Sequence, residues 1–279
     1  MCASSLYRRL RTKKQFLMAE VRAKKALGQH FLTDLNIARK IATALSGGTT
    51  EKPDKVLEVG CGMGVLTQFL LQREDIVTYG AEIDSESVEY LHAHYPEFAP
   101  RLSEGDFLKM DLRAVYGDKL KIIGNFPYNI SSQIFFKVLE NRDIVPECVG
   151  MIQKEVAVRL AEPPGSKEYG ILSVLLQAWY DIEYLFTVGE KVFNPPPKVK
   201  SAVIRLVRNG VTKLDCDEHL FIKVVKASFG QRRKMIRNSL KAVFGNFGGS
   251  EHRFFTMRAE QLSVADFVEL TNWVEDNRQ

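Results

Sequence analysis

Cysteine is scarce in this chain and scattered. The four cysteines are Cys2, Cys61, Cys148 and Cys216, and no two stand in a C-x-x-C pair. That spacing argues against a disulfide framework and against a structural zinc site, so no metal is expected and a reducing compartment, the cytoplasm, fits best. Long apolar runs are missing too. The stretch Ile171 to Tyr180 covers about ten residues, half of the roughly twenty that a membrane-spanning helix needs. The 19 glycines and 10 prolines follow no period, which excludes collagenous and repeat architectures. The chain also has no low-complexity tract. With 45% apolar and 26% charged residues over 279 positions, what is left is a globular protein large enough for a substantial core.

The net charge of +5 is unevenly distributed. Residues 1–25 carry eight basic side chains against one acid, and residues 185–245 carry thirteen against four, so the remainder sums to −11. A basic surface on an acidic body is the footprint of a nucleic-acid binder, although a solvated charged face has the same composition. The start of the chain, Met1 to Phe16, has no apolar run of signal-peptide length. We expect residues 1–21 to be a basic extension, with Met18 as an alternative start; its basic, acid-poor composition also resembles a transit peptide.

Along the chain, short apolar runs alternate with helical spacing. Asp54 to Gly60 reads as a buried strand entering a glycine turn, and Val65, Leu66, Phe69 and Leu70 recur as on a helix. Strands are expected at Ile76–Ile83, Arg101–Asp106, Leu120–Gly124 and Cys148–Ile152, and helices at Ser87–His94, Ser131–Glu140 and Glu155–Leu160. This alternation predicts a doubly wound α/β sheet. Tyr180–Thr187 and Ser201–Val207 flank the proline turn Phe193-Asn-Pro-Pro-Pro-Lys198 and are suited to antiparallel pairing at a sheet edge. Beyond Asn209-Gly210 the pattern is helical: Glu218–Phe229, Arg232–Phe244, and a last helix opened by Ser263 with Asp266 three residues on. The expected division is a domain over 22–209 and a helical, basic domain over 210–279.

Three acid or glycine signals fall at the ends of successive strands. Gly60-x-Gly62-x-Gly64 follows the first, with Glu58 two positions earlier. A dinucleotide loop would place its third glycine at 65, which is Val, whereas E-x-G-x-G-x-G is the S-adenosylmethionine loop of class I methyltransferases. A tight structural turn would use the same glycines. Glu82, about twenty residues on, can accept hydrogen bonds from both ribose hydroxyls. Asp106, after Gly105, suits an adenine amino group. Each acid alone could be solvated, but three ligand-type positions at three strand ends are harder to assign to chance.

Asn125-Phe126-Pro127-Tyr128 ends the next strand and selects a chemistry. The lone pair of an adenine exocyclic amine is delocalised into the ring. Acceptors placed against its N–H bonds, the Asn125 side-chain oxygen and the following backbone carbonyl, would localise the lone pair toward an electrophile. Pro127 removes a competing donor and Tyr128 offers a ring for a flipped base. Catalysis of this kind is mostly orientation. An Asn-Pro turn joining strand to helix is the plain alternative.

Five segments together, Lys24 to Leu32, Glu58 to Gly64, Asn125 to Tyr128, Phe193 to Val199 and Phe229 to Lys234, resemble the ribosomal RNA adenine dimethyltransferase family across about residues 22 to 275. The fold this implies is a class I, Rossmann-like S-adenosylmethionine-dependent methyltransferase domain with a small C-terminal all-helical domain. Within the family, the chain is most similar to the housekeeping branch, which dimethylates two adjacent adenosines near the 3′ end of 16S rRNA in the immature small ribosomal subunit. The resemblance also implies site roles. Gln29 to Leu32 would fold over the cofactor, with His30 and Leu32 lining it. Gly60 and Gly62 would meet its methionine part, Glu82 its ribose and Asp106 its adenine. Asn125 would touch both cofactor and target amine, and Tyr128 and Phe193 would sandwich the target base. His30 stands where the family often has Asn, and Cys61 where it often has Pro.

The basic C-terminal stretch then acquires a use: Lys223, Lys226, Arg232, Arg233, Lys234 and Arg237 are expected on helices facing rRNA phosphates. A monomer is expected. Three other readings stay open: the antibiotic-resistance branch acting on one large-subunit rRNA adenosine, a protein-glutamine methyltransferase with an Asn-Pro-Pro-Tyr turn, and a ribosome-assembly factor whose catalysis is secondary. The Pro-Pro-Pro-Lys turn and the Phe229-Gly-Gln-Arg-Arg-Lys segment favour the housekeeping branch over the first. Phe126 and the basic tail argue against the second.

Overall fold

Runs of apolar residues without alternation need cover on both faces, and here they form the middle of a sheet. The computed structural model describes residues 21–247 and 251–278, so the basic extension expected over 1–21 lies outside the described residues except for Val21. Nine strands occur among them: β1 (Phe31–Leu32), β2 (Asp54–Val59), β3 (Ile76–Glu82), β4 (Leu102–Glu104), β5 (Lys121–Asn125), β6 (Glu147–Gln153), β7 (Tyr180–Val188), β8 (Phe193–Asn194) and β9 (Ser201–Arg208). Seven of them form one sheet in the order β4-β3-β2-β5-β6-β9-β7. The pairings from β4 through β6 are parallel, and β9 lies antiparallel to both β6 and β7. The expected antiparallel edge pair is thus present. Because the chain moves outward from β2 to β4 and then returns to β5, the order reverses between β2 and β5, and a crevice opens at their carboxyl ends.

Two elements were not legible beforehand. β1 and β8 form a separate antiparallel ribbon, with Phe31 opposite Asn194 and Leu32 opposite Phe193. It draws the segment before the first helix across the carboxyl edge of the sheet. The second is a recess under β5 and β6. A Cβ on Gly124 would sit 2.8 Å from the Phe126 ring and one on Gly150 only 2.4 Å from it. The two glycines therefore leave room for Phe126, which is buried and meets Phe135 edge-on at 5.9 Å. A side chain at either position would push the ring, and the Asn125–Tyr128 turn with it, out of place.

At the opposite end of the strands, a buried ammonium holds three strand starts together. Lys121 Nζ lies 2.9 Å from Asp54 Oδ2 and 3.1 Å from Glu147 Oε2, and it donates to the Ser46 carbonyl at 2.9 Å. Arg205 Nε donates to the same Glu147 at 2.7 Å, and against the upward push of burial, Lys119 and Lys121 hold the Asp54 carboxyl, and Ser46 and Lys121 the Glu147 carboxyl, below the usual carboxylate range.

The C-terminal part contains the helices Glu218–Gly230, Ile236–Phe244 and Val264–Asn277. The last begins with the expected capping box: Ser263 N–H donates to Asp266 Oδ2 at 2.9 Å and Asp266 N–H to Ser263 Oγ at 3.2 Å. The apolar core is continuous across the expected domain boundary, since Tyr169, Trp179, Phe221 and Phe267 belong to one buried cluster. The helix expected from Arg232 instead starts at Ile236. Its first N–H groups are taken by the chain of a later loop, Ile236 N–H by the Met257 carbonyl at 2.8 Å and Arg237 N–H by the Phe255 carbonyl at 3.3 Å. That docking fixes the start of the helix and leaves Arg232, Arg233 and Lys234 in the preceding turn.

Glu58 on β2 is fully buried beside the crevice and accepts from Thr67 Oγ1 at 2.6 Å. Burial pushes its carboxyl up to about 8, reinforced by the charge of Glu82 and only partly offset by the Thr67 hydrogen bond. A folded-state value raised above the ordinary 4.5 means that the unfolded chain loses this proton first as pH rises. The stability linked to Glu58 is therefore complete below about 4.5 and is lost between there and about 8, with a slope approaching about 1.4 kcal/mol per pH unit. Glu58→Gln should flatten that part of the profile in denaturant titrations between pH 5 and 8; an unchanged slope would mean that the carboxyl is ionised in the fold.

Candidate active site

A pocket opens at the carboxyl ends of β2 to β5, and nine of the ten residues expected to form the catalytic and cofactor site line it: His30, Leu32, Gly60, Gly62, Glu82, Asp106, Asn125, Pro127 and Tyr128. The tenth, Phe193, does not. Its pairing opposite Leu32 turns the ring into the apolar cluster with Ile41 and Val188, where it is 4% exposed. The structure therefore places Phe193 in the core beneath the ribbon, and not as the second face of a sandwich with Tyr128. The ring nearest Tyr128 is His30, at 5.3 Å between centroids.

The glycine loop bends through positive φ at Gly60, Gly62 and Gly64, at 76°, 52° and 75°. Those angles disfavour side chains, so backbone faces the pocket. A Cβ at Gly62 would also come within 3.0 Å of the Phe31 ring. Cys61 is buried, and its thiol donates to the Glu58 carbonyl at 3.6 Å. Burial pushes that thiol well up, so it serves as a small apolar filler within the loop.

Glu82 closes β3 with its carboxylate held by three backbone N–H groups. Gly62 N–H donates to Oε2 at 2.8 Å, while Ile83 and Asp84 N–H donate to Oε1, both at 2.9 Å. Desolvation raises its carboxyl above the usual range, and the three N–H groups oppose the rise. Three of its four lone-pair sites are thereby used, two of them on Oε1, and Oε2 keeps one for a ligand hydroxyl. Asp106 accepts from Leu108 N–H at 3.0 Å and keeps one oxygen 3.9 Å from Lys109. Lining the same pocket as these acids is a residue the sequence did not single out: Ile83, next to Glu82 in the chain and 52% exposed, adds an apolar face to the two hydrogen-bonding groups. That combination fits a flat heteroaromatic ring carried on a ribose.

Asn125 occupies the turning point of the site. Its Nδ2 donates to the His30 carbonyl at 2.9 Å, which fixes which way the amide faces. Among the described residues, no group donates to Asn125 Oδ1 or to the Phe126 carbonyl. With the Phe126 ring turned under the sheet, its backbone remains at the pocket wall. Tyr128 pairs its hydroxyl with Ser201 Oγ, which tethers the ring to β9. His30 donates from Nδ1 to the Pro195 carbonyl at 2.8 Å. Histidine thus provides here the donor that a side-chain amide would give, and it ties the segment over the pocket to the proline turn.

The six cations expected to meet RNA separate into two groups. Lys223, Lys226, Arg233 and Lys234 are exposed and have no acidic partner among the described residues. Arg237 pairs with Glu251 at 2.9 Å. Arg232 is committed internally, donating to the backbone carbonyls of Lys167 and Tyr169, and so acts as a staple between the C-terminal helices and the loop after β6 and its helix.

Known proteins place this geometry. A family model described as ribosomal RNA adenine dimethylase matches residues 20–276. The chain is 57% identical over 261 residues to the ribosomal RNA small subunit methyltransferase A of Bacteroides thetaiotaomicron, covering 93% of this chain and 96% of that one. It is 56% identical over 255 residues to the protein of the same name from Cytophaga hutchinsonii, covering 91% and 98%. Among solved structures, a dimethyladenosine transferase from Plasmodium falciparum superposes with a TM-score of 0.74 at 24% identity over 89% of this chain and 98% of that one. The 23S rRNA methyltransferase ErmE does so with 0.63 at 24% identity, over 87% and 99%. These likenesses are of fold, whereas the match over nearly the whole sequence is one of descent: the chain belongs to the ribosomal RNA adenine dimethylase family, S-adenosylmethionine-dependent methyltransferases built on the Rossmann-like sheet described here.

Proposed function

We propose that this enzyme transfers methyl groups to the exocyclic amines of two adjacent adenosines near the 3′ end of 16S rRNA, acting on the immature small ribosomal subunit as a monomer. The observation that carries the reading is the amide of Asn125. With Nδ2 committed to the His30 carbonyl, Oδ1 and the Phe126 carbonyl are two unpaired acceptors at the mouth of the pocket. An adenine amine offers two N–H bonds to such a pair. Accepting both orients the nitrogen lone pair along the remaining direction, toward the cofactor side. When bound, S-adenosylmethionine supplies a sulfonium methyl as the electrophile. Glu82 and Asp106 would hold its ribose and adenine, Ile83 the adenine face, and the backbone at Gly60 and Gly62 its amino-acid end. Tyr128 would stack on the flipped base while its tether to Ser201 keeps the ring in place.

The choice of the small-subunit substrate rests on relatives that bear that name at 56–57% identity. Exposed Lys223, Lys226, Arg233 and Lys234 would meet rRNA phosphates, with residues 210–279 as the RNA-facing unit.

Asn125→Ala should reduce methyl transfer to small-subunit rRNA by roughly 10²–10³-fold while the sheet stays folded by circular dichroism; normal turnover in that variant would remove the amine-orienting role. Arg233→Glu with Lys234→Glu should weaken RNA binding and lower the salt dependence of its logarithm by about two, with cofactor affinity unaltered. Arg232→Ala should instead lower stability and leave the salt slope alone. Equal slopes in all three proteins would return these cations to a solvated face.

A further inference from the structure

The segment from Val21 to Leu32 crosses the open side of the pocket, and its residues Leu27 to Leu32 form that wall. Its far end is secured to the body through the β1–β8 ribbon and through Thr33, whose N–H donates to the Val192 carbonyl at 2.7 Å. Its middle is held by the Asn125–His30 hydrogen bond. The near end is held by Val21, buried in an apolar cluster with Met63 and Tyr90, and by a small polar cluster centred on Asp84, a carboxylate with no side-chain exposure. Lys24 Nζ forms an ion pair with Asp84 Oδ1 and lies 3.0 Å from Glu86 Oε1. Gln29 Nε2 donates to Asp84 Oδ2 at 3.2 Å and Ser87 Oγ donates to it at 3.0 Å. Within the strap, Lys24 N–H donates to Gln29 Oε1 at 2.8 Å. The cluster leads directly to the cofactor side of the pocket, because Asp84 N–H donates to Glu82 Oε1.

We propose that Lys24 and Asp84 are positioning residues for the cofactor: their ion pair latches the strap shut over the pocket and sets how long the cofactor stays bound. The inference rests on the cofactor reading of the pocket and goes beyond it in assigning retention to two residues that touch neither the cofactor nor the target base. Three features of the cluster support a latch over a mere surface pair. Asp84 is buried, so losing Lys24 leaves a carboxylate with only neutral donors. Two side chains of the strap, Lys24 and Gln29, converge on this one acid. The Lys24 side chain is 37% exposed, so water can reach its ammonium and take the place of Asp84 when the strap lifts.

The test uses the full chain with S-adenosylhomocysteine as the probe. Lys24→Gln should raise its dissociation rate about tenfold and raise KM for S-adenosylmethionine in proportion, leaving kcat at saturation and RNA affinity unchanged. Amide exchange of residues 21–32 should accelerate in the cofactor-free protein, with the core strands unaffected. Lys24→Arg should restore most of the retention. Asp84→Asn, added to Lys24→Gln, should cost little more than either change alone. Unchanged dissociation and exchange in Lys24→Gln would overturn the latch while leaving the cofactor reading standing; failure of the unaltered chain to bind the probe would overturn both.

Discussion

The hydrogen bond from Asn125 Nδ2 to the His30 carbonyl is the contact on which the site turns. It settles the orientation of an amide whose two ends are chemically opposite, and so decides that the pocket presents acceptors to a target amine. The same bond ties the middle of the strap to the sheet, between the β1–β8 ribbon and the Lys24–Asp84 pair. Everything else in the crevice supports that arrangement. Gly124 and Gly150 admit the Phe126 ring under the strands, which keeps the turn from lifting. Ser201 holds Tyr128, and the Pro195 carbonyl holds His30.

The electrostatics divide the sheet into two ends. At the amino ends of β2, β5 and β6, the Lys121 ammonium is compensated by Asp54 and Glu147, and the cluster locks strand starts together. At the carboxyl ends, Glu58 and Glu82 lie close together without a cation, and their carboxyls are pushed upward. With its carboxyls raised by burial, the glycine-lined crevice offers hydrogen-bonding groups more than fixed negative charge. The exposed cations Lys223, Lys226, Arg233 and Lys234 lie on the first C-terminal helix and in the turn that follows it, away from these acids in the chain.

Much of this was readable from local pattern. The main strands of the sheet and its doubly wound class followed from apolar runs punctuated by glycines, and nine of the ten pocket residues expected from spacing and resemblance line one cavity. What escaped were features created by pairing distant segments. The resemblance implies a stacking ring at Phe193, yet its side chain is fixed by a two-residue ribbon with Leu32 that no local periodicity announces. Arg232 looked like one more free cation, but its fate depends on carbonyls of Lys167 and Tyr169, more than sixty residues away. Ile83 was hidden between two acids that drew attention first, and only its 52% exposure within a pocket marks it. The Lys24–Asp84 pair joins segments 60 residues apart and has no signature in either.

The account stands on the identity of the methylated nucleotides. The direct measurement is to incubate the purified chain with isotopically labelled S-adenosylmethionine and immature small subunits, large subunits or protein alone, and to locate the label by mass mapping of the digested RNA. The expected result is label on two adjacent adenosines near the 3′ end of small-subunit rRNA, with two methyl groups on each amine. Label confined to a single large-subunit adenosine, or found on protein, would contradict it.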